Sequence, residues 1–163
     1  MDTMIKNINR MYMIVRYSLW LLFIALQLFI GVLIYLQSGN ELVAFAMLAK
    51  HLPGVMSLLT DAAQRLPLLY QQGWVAHHLP DILWSSACAS VLVGLWANQF
   101  SLSKLLPLGM ACAIFYETLQ FFGVTNGTYD HLDWLYSLLA GAVSTLLTYL
   151  LLRGSLQYKE DSK

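Results

Sequence analysis

Glu117, Gln120, Asp130, Asp133 and Asp81 stand within or beside runs that are otherwise Leu, Phe, Ala and Ile. Glu117 and Gln120 lie one turn apart near the end of one apolar run. Asp130 and Asp133 flank the start of the next, and Asp81 opens an earlier one just after His77 and His78. Three chemistries are open to such a set. A carboxylate-lined pocket binds a cationic or hydroxyl-rich head group. Asp130 and Asp133 with His77, His78 or His131 hold a divalent metal through oxygen and nitrogen ligands. A carboxyl pair in unlike environments, with Glu117 and Asp133 as catalytic candidates, does acid and base work.

A structural reading competes with all three. Asp81 and Asp133 then cap helices, Asp130 and Thr128 shape the turn after Gly127, and Glu117 pairs with Gln120 or a neighbouring helix. Capping does not explain Glu117, because a carboxyl inside hydrocarbon needs a partner, a proton or water.

The elements that must position these residues are membrane helices. The chain has 163 residues, 58% hydrophobic and only 11% charged, with mean hydropathy +0.60; a soluble domain carries roughly a quarter charged residues. Four segments, 17–36, 81–99, 105–123 and 132–152, approach the ~20 apolar residues that a span requires. The expectation is one all-α integral membrane domain over residues 1–163, with four transmembrane helices. Basic residues concentrate on the cytoplasmic side of membranes. Lys6, Arg10, Arg16, Lys104, Arg153, Lys159 and Lys163 fall inside when both termini are inside, leaving only Lys50 and Arg65 outside. The first span is too long for a cleaved signal and lacks a following small-residue cleavage site, so it reads as a retained anchor.

Residues 37–80 are too many for an empty connection. Residues 41–52 and 54–66 have helical apolar spacing, broken at Pro53 and Pro67, and predict short amphipathic helices on the outer face. Pro80 before Asp81 fits a helix start. Gly109, Ala113, Glu117 and Gln120 fall on one side of the third span, Asp133, Ser137, Gly141, Ser144 and Thr148 on one side of the fourth, and Asp81, Ser85 and Ala89 on one side of the second. Small faces let membrane helices approach closely, so the stripes predict convergence of Asp81, Glu117, Asp130 and Asp133 near the outer surface. Zero net charge gives no sign of nucleic-acid binding. Cys88 and Cys112 lack metal-knuckle spacing and read as small apolar filler. No phosphate loop, Ser-His-Asp order or H-E-x-x-H pattern is present.

Glu117-x-x-Gln120, followed by Gly127-Thr128-Tyr129-Asp130 and by Asp133 ahead of an apolar helix containing Gly141, resembles the C-terminal motif of VanZ-like membrane proteins. Leu79-Pro80-Asp81 resembles the aspartate-led motif of an earlier helix in that family. Ile82 and Ser85 stand where many members carry a basic residue and a histidine. Gly127 and Thr128 stand where many carry arginine in the turn. The resemblance implies a small bacterial multi-pass protein of the cytoplasmic (inner) membrane, with a link to the glycopeptide antibiotic response. Together the readings lead to an acidic outer-leaflet pocket that binds or handles a cell-envelope component. Asp81, Glu117, Gln120, Thr128, Asp130 and Asp133 are its binding residues, and a membrane lipid or lipid-linked envelope precursor is its partner. The alternatives are a membrane-embedded acid/base or metal-assisted hydrolase or transferase, and a structural accessory subunit.

Overall fold

The computed structural model describes residues 2–38, 43–68, 73–125 and 129–160. Among these residues seven helices follow in order: α1 (Asp2–Ser38), α2 (Val43–His51), α3 (Pro53–Arg65), α4 (Gly73–Trp96), α5 (Leu102–Ala113), α6 (Phe115–Phe121) and α7 (His131–Glu160). No strand occurs among the described residues. Arg10–Ser38, Gly73–Trp96 and His131–Arg153 are each long and apolar enough to cross a membrane, and α5 with α6 forms a fourth candidate bent by 46°. The protein is an all-α, multi-pass membrane protein.

Its packing reverses that of a soluble bundle. Large side chains such as Leu22, Phe23, Leu95, Phe115, Leu139 and Leu147 are exposed, whereas Ser90, Ser137, Ser144, Thr145 and Thr148 are buried. Lipid tails solvate leucine as well as a protein core does, so the helices meet instead through small residues and interhelical hydrogen bonds. α4 lies at the centre, against α1, α5 and α7. Gln27 of α1 donates to Ser86 Oγ at 2.9 Å. Ser144 of α7 donates to the Ser86 carbonyl at 2.7 Å and lies 2.5 Å from Ser90 Oγ, and Thr148 donates to Ser90 Oγ at 3.2 Å. Where α5 crosses α7, a Cβ added at Gly141 would lie 2.5 Å from Ala113 Cβ, and one at Gly109 would lie 2.0 Å from Thr145 Oγ1. At Gly141 the added atom also meets the Gly109 carbonyl and Met110 Cα, so only glycine fits there without displacing a backbone, whereas at Gly109 it meets the Thr145 side chain.

Two boundaries differ from the sequence expectation. The helix expected to start at Asp81 starts at Gly73 and carries Pro80 inside it. Pro80 is fully buried against its neighbours, and membrane helices tolerate such a proline where surrounding groups satisfy the freed backbone. Asp81 therefore sits two turns into a helix and does not cap one. The third expected span breaks at Ile114 (φ −89°, ψ 0°). There Ser85 of α4 donates to the Ala113 carbonyl at 3.0 Å. A side chain entering the backbone ladder in this way is a recognised cause of helix bending.

The connection between α1 and α4 contains two short helices, α2 and α3, in place of an open loop. α3 packs on α1, and Gln37 donates to the carbonyls of Ala63 at 2.9 Å and Pro67 at 3.2 Å. This ties the connection to the end of α1 that carries Tyr35.

Candidate functional site

The start of α4, the start of α7, the end of α1 and the bent α5–α6 pair meet at one end of the bundle. Asp81 faces inward there because it lies one turn before Ser85, which bonds Ser137 of α7 at 2.9 Å as well as the Ala113 carbonyl. Tyr35, in the last turn of α1, donates to Asp81 Oδ1 at 3.3 Å. Glu117 follows the break at Ile114, and the bend turns it towards α4. It is 5% exposed, and its Oε2 has no hydrogen-bond partner. Burying a carboxyl oxygen without a partner costs on the order of 1–3 kcal/mol, and more when it is charged.

Tyr35, Asp81, Ser85, Tyr116 and Glu117 line a cavity of about 340 Å³, with Trp84, Cys88 and Cys112 on its other wall. Those last three residues also line a second, apolar cavity of about 520 Å³, which continues between α1 and α4 past Ile24, Leu28, Val91 and Leu95. The two spaces share these three residues; carboxylates line the first and the second is lined by apolar side chains. Each falls within the roughly 300–1,000 Å³ range of small-molecule sites.

A second group lies beside the first. His78 stands one turn before Asp81 on α4, and its Nδ1 contacts Asp133 Oδ1 of α7 as an ion pair when the ring is protonated. The His78 ring is set between Tyr136, with centroids 5.4 Å apart, and Trp74, at 6.0 Å. Asp130 Oδ1 accepts the Leu132 N–H at 2.8 Å, so the cap of α7 is Asp130. The reading of Asp133 as that cap is thereby corrected: an acid inside the first helical turn turns sideways to a neighbouring helix. One donor atom from each of His78, Asp130 and Asp133 lies within 4.8 Å of the others.

The remaining residues expected at the site fare differently. His77 is exposed, and His131 is 3.1 Å from Tyr129 Oη; neither joins the His78 group. Gln120, in the same short helix as Glu117, is half-buried and does not line the Glu117 cavity. Glu117 makes no pair with it. Thr128 lies outside the described residues. Asp81, Asp130 and Asp133 all lie within electrostatic range of Glu117. Among the described residues, His78 is the one cation-capable side chain in an ion pair with an acid.

Tyr35, Trp84, Trp74 and Tyr136 take part in the site although sequence reasoning did not select them. Aromatic residues in apolar helices usually signal packing or a membrane interface. Tyr35 in the last turn of a span was the one available hint. Comparisons with protein-family models, with curated proteins and with solved structures found no match.

Proposed function

We propose that this protein binds a membrane amphiphile from the side, with a hydroxyl-rich or cationic head on Asp81 and Glu117 and its hydrocarbon chain along the apolar cavity. The observation that carries the reading is Glu117: 5% exposed, unpartnered at Oε2, and on the wall of a cavity that shares Trp84, Cys88 and Cys112 with an apolar one. Hydroxyl and ammonium groups donate hydrogen bonds that the two carboxylates accept, and the Tyr35 and Ser85 hydroxyls add groups able to do either. A bare phosphate does not suit this cavity, whose lining contains no Lys or Arg among the described residues. The positive-inside distribution of basic residues supports an outer-leaflet opening. The resemblance to VanZ-like proteins supports a bacterial inner membrane and a lipid-linked cell-envelope component as the ligand.

A second reading, a membrane-embedded hydrolase or transferase, is favoured by the His78–Asp133 contact. A carboxylate on Nδ1 leaves Nε2 as the basic nitrogen of a general base. Native mass spectrometry in a lipid-preserving detergent separates these readings from a purely structural one. Wild type is expected to retain a lipid adduct that Glu117→Gln and Asp81→Asn lose while staying folded. Equal adducts in all three proteins, or none in any, would reject the binding reading. An adduct that wild type slowly converts, and His78→Gln does not, would favour the enzyme.

A further inference from the structure

We infer that His78, Asp130 and Asp133 form a binding site for one divalent transition-metal ion, of the Zn²⁺, Co²⁺ or Mn²⁺ class, where α4 meets the start of α7. The argument starts from geometry. Donor atoms about 2.0–2.2 Å from a shared ion lie at most about 4.4 Å apart, and the three available here lie within 4.8 Å of one another. A small rotation about the side-chain bonds closes that difference. The ligands come from two helices that the serine ladder already fastens together.

The supporting contacts resemble those of a built site. The rings of Trp74 and Tyr136 hold the His78 imidazole in place. The Leu132 N–H holds one oxygen of Asp130 and leaves the other for an ion, as outer hydrogen bonds do for metal-ligating carboxylates. The donor types restrict the ion. Ca²⁺ and Mg²⁺ prefer all-oxygen ligands, whereas one imidazole with two carboxylates suits zinc and its neighbours.

Charge provides an independent reason. Asp130 and Asp133 act electrostatically on Glu117, which is itself buried with an unpartnered oxygen, and His78 is the one cation-capable group paired with an acid among the described residues. A divalent ion would offset this local excess of acid. Three protein ligands would also leave a coordination position for water or for an oxygen of a bound molecule. The site does not depend on the amphiphile reading, because Glu117 and Asp81 are not among its ligands.

The test is a Co²⁺ titration of the full-length protein in detergent, followed by visible absorbance, with Zn²⁺ as competitor and the unfolding temperature as a second readout. Wild type is expected to take up one equivalent and to gain thermal stability. His78→Gln and Asp130→Asn should each bind at least tenfold more weakly, whereas His77→Gln and His131→Gln should stay within a few-fold of wild type. Asn is as good a helix cap as Asp, so Asp130→Asn tests the ligand without removing the cap. Absence of stoichiometric uptake by wild type would overturn the site. So would equal binding by folded His78→Gln and Asp130→Asn, or an equal loss in the His77 and His131 variants.

Discussion

Glu117 buries a carboxyl oxygen, Oε2, among apolar helices without a hydrogen-bond partner, so an uncharged isostere should relieve a desolvation cost and leave the fold intact. Glu117→Gln is expected to unfold at the same temperature as wild type or higher, with a gain of up to about 1–3 kcal/mol, and to lose at least tenfold in amphiphile binding. Differential scanning fluorimetry and native mass spectrometry on the same samples check both halves. A clear drop in stability would return Glu117 to a helix-locking role. Tyr35 differs because its hydroxyl bonds Asp81. Tyr35→Phe should cost about 1 kcal/mol of stability and weaken ligand retention, since it frees one Asp81 oxygen from the geometry that aims it.

At the scale of helices, the α5–α7 crossing is the most sensitive place. A side chain at Gly141 meets Ala113 Cβ and the Gly109 carbonyl, and a backbone carbonyl cannot move aside as a side chain can. Gly141→Val should separate α5 from α7 and cost several times more than Ser90→Ala. That second change removes membrane hydrogen bonds worth about 0.6 kcal/mol each. Unfolding in mixed micelles with rising denaturing detergent measures the difference. Equal costs would show that the close approach is not what holds the pair. Ser85 has a separate role, because its hydroxyl meets both the Ala113 carbonyl at the break and Ser137. Ser85→Ala should straighten the α5–α6 bend and rotate Glu117 away from Asp81. The expected outcome is loss of ligand retention with helicity unchanged by circular dichroism.

Over the whole molecule, the site occupies one end of a bundle whose exposed surface is hydrocarbon-like. α1 is 37 residues long, or about 56 Å at 1.5 Å per residue, well beyond the ~30 Å hydrocarbon thickness. Part of this helix must stand clear of the hydrocarbon or tilt strongly. In the proposed orientation, which the distribution of Lys and Arg favours, both termini lie in the cytoplasm and the acid-bearing end outside. Single cysteines at Ser103 and Asp61, in a chain with Cys88 and Cys112 replaced by alanine, should label from opposite sides of intact cells. Ser103 should be reached only after the membrane is opened. The reverse pattern would put the acidic cavity on the cytoplasmic leaflet and remove the cell-envelope partner from the proposal.

Much of this architecture follows from sequence alone, because the solvent dictates it. Hydrocarbon requires runs of about 20 apolar residues and strongly penalises acids within them, so the spans and the unusual character of Glu117 are visible without coordinates. The 3.6-residue period puts Ser137, Gly141, Ser144 and Thr148 on one face, and that face is buried. The tertiary structure alone decided the partners. Pro80 reads locally as a helix start, but packing buries it inside a helix that begins at Gly73. Asp130 and Asp133 are three residues apart and equally suited to capping; only the position of His78 on another helix separates their roles. The third span bends at Ile114, where the contacting hydroxyl comes from Ser85, far away in the chain, and Gln120, one turn after Glu117, does not reach the cavity that Glu117 lines. Periodicity is a property of one helix, whereas a site made by several helices depends on how those helices cross.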